Sequence, residues 1–242
     1  MVSLTMTSSD GQPAPSQDLR TSAFWYPKIP EPHMHLNNNP GLSMDGYREH
    51  YQPLFWTHFG GPGGSRLSRL TGMSAMLLLR GGIGKVDFYF DGDTEGGMSK
   101  LTLGRRRTGI GSKMMHFAID GAGGERIRDI DVVHRVTKAS TSAEDEIGPM
   151  RPVFLSFKIS TNWDRSCLFK MDLSLAGPLI ADANEKTSMQ RVPIEPGTTI
   201  TGFYAEQQPE LGFGVAIVGV ISEKVEETEG LASRPKKHKR RR

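Results

Sequence analysis

Short apolar segments separated by glycine or polar turns run through residues 59–223. The segments are four to eight residues long and rich in Val, Ile and Phe, which favours β-strands over helices. In Lys85-Val-Asp-Phe-Tyr-Phe90 apolar and polar side chains alternate, so one face of the predicted strand is apolar. Residues 138–150 and 176–192 lack this pattern and are expected to be surface loops. The predicted strands are Ser74–Leu79, Gly84–Phe90, Met115–Ile119, Ile127–Val133, Val153–Ser160, Cys167–Met171, Thr199–Tyr204 and Val215–Ile221.

A glycine-containing turn recurs before some of these strands. Gly61-Pro-Gly-Gly-Ser-Arg-Leu67 matches Gly121-Ala-Gly-Gly-Glu-Arg-Ile127 at a spacing of sixty residues, and Pro196-Gly-Thr-Thr-Ile200 is a weaker third copy. Each copy is followed by two strands, so three similar units predict approximate threefold symmetry in an antiparallel β-domain. The glycines permit positive φ, which lets backbone N–H groups point outward towards a sugar hydroxyl or an anion. Alternatively, the glycines only allow the units to pack closely at their ends.

Changes in composition divide the chain into four parts. Residues 1–22 are polar and rich in Ser, Pro, Gln and Asp, which predicts disorder. Residues 23–58 combine many aromatic side chains with prolines, so we expect an irregular arm packed on the following domain. A separate aromatic ligand-binding patch is the alternative for this arm. Residues 59–223 form the predicted β-domain, and the charged residues 224–242 form a predicted disordered tail.

Composition restricts the class of protein further. With 242 residues, of which 36% are hydrophobic, the chain can bury a substantial core. The formal net charge of +3 comes from residues 234–242, which carry seven of the 30 Lys and Arg residues. The remainder has 23 basic residues against 27 acidic ones, so the folded part is mildly acidic. Specific nucleic-acid binding by the folded domain is therefore not expected.

The basic tail and the cysteine content predict the compartment. A flexible basic terminus suits nuclear import or electrostatic contact with RNA, DNA or anionic lipid, although such tails also arise as solubilising ends. The single cysteine, Cys167, excludes an internal disulfide, and the N-terminus does not resemble a secretion signal. No apolar run approaches about 18 residues, so no membrane span is expected. We expect an intracellular protein, cytoplasmic or nuclear, with a nuclear-localisation-like signal made of Lys236, Lys237, Lys239, Arg240, Arg241 and Arg242.

The order and spacing of several motifs resemble those of jacalin-related lectins of the mannose-binding type. The similar segments are Phe59-Gly-Gly-Pro-Gly-Gly64, Gly82–Phe90, Gly123–Ile130, Leu155–Asn162, Gly197–Tyr204 and Val218-Gly-Val220. The resemblance covers roughly residues 56–224, about 70% of the chain. It implies an all-β fold, a β-prism of three four-stranded Greek-key sheets with pseudo-threefold symmetry. The aromatic arm is similar to that of filamentous-fungal proteins that carry a diverged version of this domain.

The resemblance also implies a carbohydrate site, held by N–H groups of the first glycine turn and by a carboxylate of the closing loop. Aligning Val218-Gly-Val220 with the family's Ile-Gly-Val places Ala216 where the family has Asp. Alanine cannot accept hydrogen bonds from sugar hydroxyls. Glu206 and Glu210 lie in the same loop, but out of register with the family's Asp. The candidate carbohydrate-binding residues are Gly60, Gly61, Gly63, Gly64, Glu206, Glu210, Gly212 and Gly214.

Other chemistry is less well supported by the sequence. Asp91-Gly-Asp-Thr-Glu-Gly96 resembles the first half of a calcium-binding EF-hand loop, but Thr102 occupies the position of the closing Glu. An acidic hairpin turn is expected there. Gly84-Lys85 lacks the Ser or Thr of a phosphate loop, and His33 and His35 supply two metal ligands alone.

No nucleophile or acid–base constellation emerges, so we expect no enzyme, no catalytic residue, no cofactor and no metal. The sequence predicts a non-catalytic binding protein whose ligand is a carbohydrate or glycoprotein. The alternative is an intracellular protein-interaction module on a lectin scaffold that has lost sugar binding, with a protein as its partner.

Overall fold

The computed structural model of this chain describes residues 19–39, 53–78, 82–92, 99–104, 112–136, 153–170, 186–208 and 214–225. Strands dominate these residues, which confirms the all-β class. One short helix, α1, spans Leu19–Ser22, and two 3-10 turns span Pro62–Gly64 and Leu67–Arg69. No helix in the described ranges has the length and hydropathy to span a membrane. The strands are β1 (Trp25–Tyr26), β2 (His35–Asn38), β3 (Leu54–Thr57), β4 (Leu70–Leu78), β5 (Ile83–Phe90), β6 (Lys100–Gly104), β7 (Ser112–Ala118), β8 (Ile127–Val136), β9 (Val153–Thr161), β10 (Ser166–Phe169), β11 (Lys186–Arg191), β12 (Thr199–Gln208) and β13 (Gly214–Glu223).

The strands fall into three groups with one common order. Group I pairs in the order β6-β5-β4-β7, and group II in the order β10-β9-β8-β11. Group III pairs in the order β2-β13-β12-β3, with β1 added in parallel beyond β3. In each group the fourth strand returns to lie beside the first, which is Greek-key order. Strands β2 and β3 of the N-terminal arm complete the third group, since they pair with β13 and β12 respectively.

Hydrogen bonding joins groups I and III, so the described residues form two hydrogen-bonded sheets rather than the three that were predicted. One contains nine strands and the other is group II alone. The junction is a single pair, Val215 opposite Ile83. Gly104 allows this approach, because a Cβ at this position, where φ is +92°, would lie 2.7 Å from Cγ1 of Val215. Strand pairing does not measure rotation about an axis, so the threefold prism symmetry stays a prediction.

The internal repeat is present, in a register that differs from the sequence match. A register shift directly follows Leu70 in β4, Ile127 in β8 and Ile200 in β12, so these three residues occupy equivalent positions. The counterpart of Ile127 is therefore Leu70 and not Leu67. Strands β4 and β8 therefore begin 57 residues apart, whereas the sequence match has a spacing of sixty. The 3-10 turn Leu67–Arg69 is the reason, since it inserts three residues between glycine turn and strand.

The N-terminal arm packs on the face of group III that points away from the main core. Tyr204 and Ile221 point to this face, because side chains alternate along a strand and their neighbours Phe203 and Val220 enter the main core. The arm residues that cover this face are Leu19, Met34, Leu54 and, partly buried, Ala23, Trp25, Leu36 and Trp56. These arm residues pack on Tyr204 and Ile221 of group III. The arm contributes paired strands, so it is less irregular than its prolines suggested.

Three of the segment boundaries predicted from the sequence differ from those in the structure. Buried Leu19 lies inside the segment 1–22 that was predicted to be disordered, so the structured part begins at least there. Val225 packs on the main core beyond the predicted end of the domain at residue 223. The predicted loop 176–192 contains β11, which pairs with β8. Its sequence KTSMQR has few apolar side chains because this edge strand is largely exposed. Residues 138–150 lie outside the described ranges.

Candidate functional site

The predicted glycine turn Gly60–Gly64 has a packing role. Gly60 N donates to the carbonyl oxygen of Thr201 at 2.7 Å, and a Cβ on Gly60 would lie 2.7 Å from Cβ of Thr201. Gly64 has φ of +78°, and a Cβ there would lie 2.8 Å from Val225. These two glycines let the turn lie against β12 and the residues after β13. Gly63 is exposed and has open space around it.

The structure separates the two halves of the predicted carbohydrate site. The turn follows β3, which runs antiparallel to β12, so it meets β12 at its beginning, beside Thr201. Glu206 and Gly214 lie where β12 and β13 are joined, and Thr201 and Glu206 are about 17 Å apart along an extended strand. We call the end at which the chain enters β12 the turn end of group III, and the end at which β12 and β13 are joined its hairpin end. In group II, the turn end is likewise the end at which the chain enters β8. Glu210 and Gly212 fall outside the described residues.

At the hairpin end of group III, Glu206 lies directly opposite Ala216 in the β12–β13 ladder. Directly opposed residues share one face of a sheet, with Cβ atoms about 5 Å apart. The carboxylate of Glu206 is therefore carried by the strand next to the position where the resemblance expects an Asp. The sequence alignment treated Glu206 as out of register, because a linear alignment does not show which residues oppose each other across a hairpin.

Two asparagines that the sequence reasoning missed also reach this end. Asn38 Oδ1 accepts a hydrogen bond from the hydroxyl of Tyr204 at 2.5 Å. Buried Asn39 donates through Nδ2 to His134 Nε2 at 2.9 Å and to the carbonyl oxygen of Ile217 at 3.3 Å. These bonds tie the end of β2 and the residue after it to β12, to β13 and to group II. The run Asn37-Asn-Asn39 was the available signal, but nothing local in it indicates these partners.

His134 is buried between groups II and III. Because the Asn39 amide donates to Nε2, the neutral ring carries its proton on Nδ1. That nitrogen has no partner within the described residues. Burial lowers the pKa of His134, since the charged ring would lose its hydration.

The turn end of group III holds a second polar cluster. The buried carboxylate of Glu223 accepts hydrogen bonds from His58 Nε2 at 2.5 Å and from His33 Nε2 at 3.1 Å. Burial lowers the pKa of His58 even though Glu223 opposes this shift. His35, the other histidine considered as a metal ligand, lies on β2 opposite Ser222. In the described part of the chain, no three His, Cys, Asp or Glu residues are grouped to hold a metal ion.

Two further candidate segments lie mostly or wholly outside the described residues. Of the acidic segment 91–96, the described residues are Asp91 and Gly92, and Gly92 has φ of +69°. The basic residues 236–242 are outside the described ranges.

No protein-family model matches this sequence, and no curated protein matches it. Solved structures similar to the chain include a mannose binding jacalin related lectin from Ananas comosus, 16% identical over 64% of this chain and 82% of that chain, with TM-score 0.39. Calystegia sepium agglutinin is 12% identical over 80% and 99%, with TM-score 0.43. Frutapin, a lectin from Artocarpus incisa, is 12% identical over 64% and 83%, with TM-score 0.41. The superpositions are loose, so the fold described above rests on strand pairing alone.

Proposed function

We propose that this protein is a non-catalytic carbohydrate-binding protein whose site lies at the hairpin end of group III. The observation that carries the proposal is the ladder pairing of Glu206 with Ala216. The jacalin resemblance expects a carboxylate at Ala216, and Glu206 supplies one from the adjacent strand on the same face. Glu206 is 6% exposed and its Oε2 atom is buried, so the carboxylate can offer a sugar hydroxyl its other oxygen, Oε1, as a charged acceptor. The turn Gly60–Gly64 has no part in this site.

The backbone around Glu206 supports a preformed site. Strand β12 is paired on both sides, with β13 and with β3, where Ala205 lies opposite Phe55. Asn39 fixes the end of β2 beside Ile217 through its buried amide. A side chain held on paired strands needs little reordering when a ligand binds, which favours affinity.

Glu206→Gln is expected to weaken binding of the preferred sugar by about tenfold or more, because a hydrogen bond to a charged acceptor is lost. The amide keeps the shape of the side chain but replaces one acceptor oxygen by a donor. A glycan array would identify the sugar, and isothermal titration calorimetry would compare the dissociation constants.

Glu195→Gln is the matched control, because Glu195 is exposed at the turn end of the same group. We expect its affinity to equal that of the wild-type protein. Equal affinity of the Glu206→Gln protein, or an array without any bound sugar, would contradict the proposed function.

A second candidate function is a protein-interaction module on the same scaffold. The observation that favours it is an apolar surface at the arm, where Phe24, Tyr26 and Ile29 are 59%, 68% and 55% exposed. Strand β1 carries Tyr26 and forms an edge of the nine-stranded sheet. Exposed aromatic side chains on a sheet edge are typical of a surface that another chain covers. With the basic tail 236–242, such a module would act in the nucleus, which stays a proposal.

Under this alternative, Phe24→Ser combined with Tyr26→Ser is expected to abolish co-purification of a specific partner from cells, because the apolar contact is removed. Met114→Ser is the control, since Met114 is also exposed, at 47%, but lies on β7. Partners retained by both variants would argue against this surface.

A further inference from the structure

The turn end of group II contains a buried carboxylate with a complete set of partners. Glu125 is fully buried. Its Oε1 accepts a hydrogen bond from Oγ1 of Thr161 at 2.8 Å. Its Oε2 accepts from the backbone N–H of Asp120 at 2.9 Å and from Nη1 of Arg165 at 2.8 Å. The carboxylate therefore joins the glycine turn before β8 to the loop after β9.

The other two groups form their turns without such a carboxylate. Because Leu70 and Ile200 are the counterparts of Ile127, the residues equivalent to Glu125 are Ser68 and Thr198. The common strand order therefore does not require a glutamate here. A buried charge lowers stability unless its partners compensate, and such networks can instead hold a surface in one geometry.

The network holds two loops against each other. Asn162 Nδ2 donates to the carbonyl oxygen of Gly124 at 3.0 Å, and its Oδ1 accepts from the N–H of Arg126 at 2.9 Å. The indole ring of Trp163 lies on the glycine turn, since a Cβ at Gly123 would be 2.9 Å from its Cη2 atom. Gly123 is thus needed for close contact with Trp163, whose ring stays partly exposed.

Asp164 follows Trp163 in the turn that joins β9 to β10. Among the described residues it is the only one other than glycine in the left-handed region, with φ of +57°. Its side chain is 85% exposed, and Oδ1 contacts Nη1 of Arg128 at 3.2 Å. The hairpin between β9 and β10 accounts for this conformation, because Asp164 N donates to the carbonyl oxygen of Thr161 at 3.0 Å and Asp adopts left-handed backbone more readily than most residues. The result is a carboxylate held in solvent directly beside a partly exposed indole.

The two arginines of this surface are engaged by three carboxylates. Arg165 is paired with Glu125, and Arg128 with Asp164 and Asp129. Both arginines are therefore already paired with carboxylates and do not offer a site for an anion. The surface instead offers an aromatic face beside alternating hydrogen-bond donors and acceptors. A pyranose ring has the matching chemistry, because one of its faces is apolar and its rim carries hydroxyl groups.

We propose that Trp163 and Asp164, held over the turn Gly121–Gly124, form a second binding site, for a neutral pyranose. The apolar face of the sugar packs on the indole of Trp163, and two of its hydroxyl groups donate to the Asp164 carboxylate. The ligand class rests on the proposed carbohydrate-binding function. The site itself uses no residue of the hairpin end of group III, so the two sites would make the protein bivalent.

The three tryptophans of the chain give a direct readout. In a ¹H–¹⁵N spectrum each indole N–H gives one signal, and Trp163→Phe assigns the signal of Trp163 by its loss. The protein is titrated with methyl α-mannopyranoside, methyl β-galactopyranoside, N-acetylglucosamine and short oligosaccharides of each. We expect at least one sugar to shift the Trp163 signal. The signals of Trp25 and Trp56 should not move, because these indoles donate to carbonyl oxygens within the arm.

Asp164→Gly tests the carboxylate without disturbing the backbone, because glycine adopts the left-handed conformation freely. The Asp164→Gly substitution should weaken binding of the sugar that shifts the Trp163 signal by about tenfold or more. Leu168→Ala, which truncates an exposed side chain on neighbouring β10, should leave the titration unchanged. Glu206→Gln should also leave the Trp163 shift unchanged.

Three outcomes would overturn the inference. They are no shift of Trp163 with any of these sugars, an unchanged titration in Asp164→Gly, and loss of the Trp163 shift in Glu206→Gln. If Trp163 does not respond while Glu206→Gln still weakens sugar binding, the second site fails and the proposed function stands. If no sugar binds anywhere on the protein, both fail together.

Discussion

Phe203→Ala is expected to lower the free energy of unfolding by about 3–5 kcal/mol, the usual cost of removing a fully buried phenylalanine. Phe203 belongs to group III, and its ring centroid lies 5.6 Å from that of Phe59 and 5.5 Å from that of Phe88 in group I. It also lies 6.3 Å from the ring of Phe157 in group II. The truncation therefore opens a cavity where all three groups meet. Urea unfolding followed by tryptophan fluorescence would measure the loss.

Phe24→Ala is the control, because it removes the same ring from an exposed position on the arm. Its free energy of unfolding should change by no more than about 0.5 kcal/mol. Similar losses in the two variants would contradict the central position of Phe203 in the core.

Gly219→Ala is expected to displace the N-terminal arm and lower the free energy of unfolding by about 1–3 kcal/mol. A Cβ at Gly219 would lie inside van der Waals contact of the Asn37 carbonyl oxygen and the Tyr204 hydroxyl. The backbone of Asn37 cannot move away without β2 leaving β13. We expect faster hydrogen exchange in β2 and faster proteolysis of the arm, while exchange in group II keeps its wild-type rate.

Gly197→Ala is the matched control. Gly197 has open space around it but φ of +75°, so alanine costs about 1 kcal/mol through the backbone alone. The Gly197→Ala protein should be less stable, but its hydrogen exchange should not become faster in β2 in particular. Unchanged exchange of β2 in Gly219→Ala would show that the arm strand is not docked as described.

Alternation of apolar and polar residues was enough to predict many of the strands and much of the core. Val86, Phe88 and Phe90 were expected to share a face, and all three enter the main core. The same rule missed β11, where an edge position leaves most side chains in water. It also missed β2 and β3, because prolines and polar residues surround these short arm strands. Their identity as strands depends on the partners β13 and β12.

The candidate site was less predictable than the fold. The resemblance grouped Gly60–Gly64 with Glu206 and Gly214, whereas strand direction places the turn at the other end of group III. Alignment also suggested that Ala216 leaves the site without a carboxylate. The ladder places Glu206 directly opposite it. Trp163 and Asp164 form a candidate site only because Gly123 lies against the Trp163 ring and Glu125 holds the neighbouring Arg165. Gly123 and Glu125 are distant in sequence and reach this loop only in the folded chain.

The sequence by itself determined that the chain is all-β, that a glycine turn and strand unit recurs, and which side chains of the main strands are buried. These are local properties, set by alternation along one strand and by the φ angles that glycine permits. Only the tertiary structure decided that the arm completes group III and that Glu206 opposes Ala216. It also decided that the turn Gly60–Gly64 and the β12–β13 hairpin lie at opposite ends. The physical reason is that every strand offers the same backbone donors and acceptors, so its partner and register are chosen by packing across the whole chain.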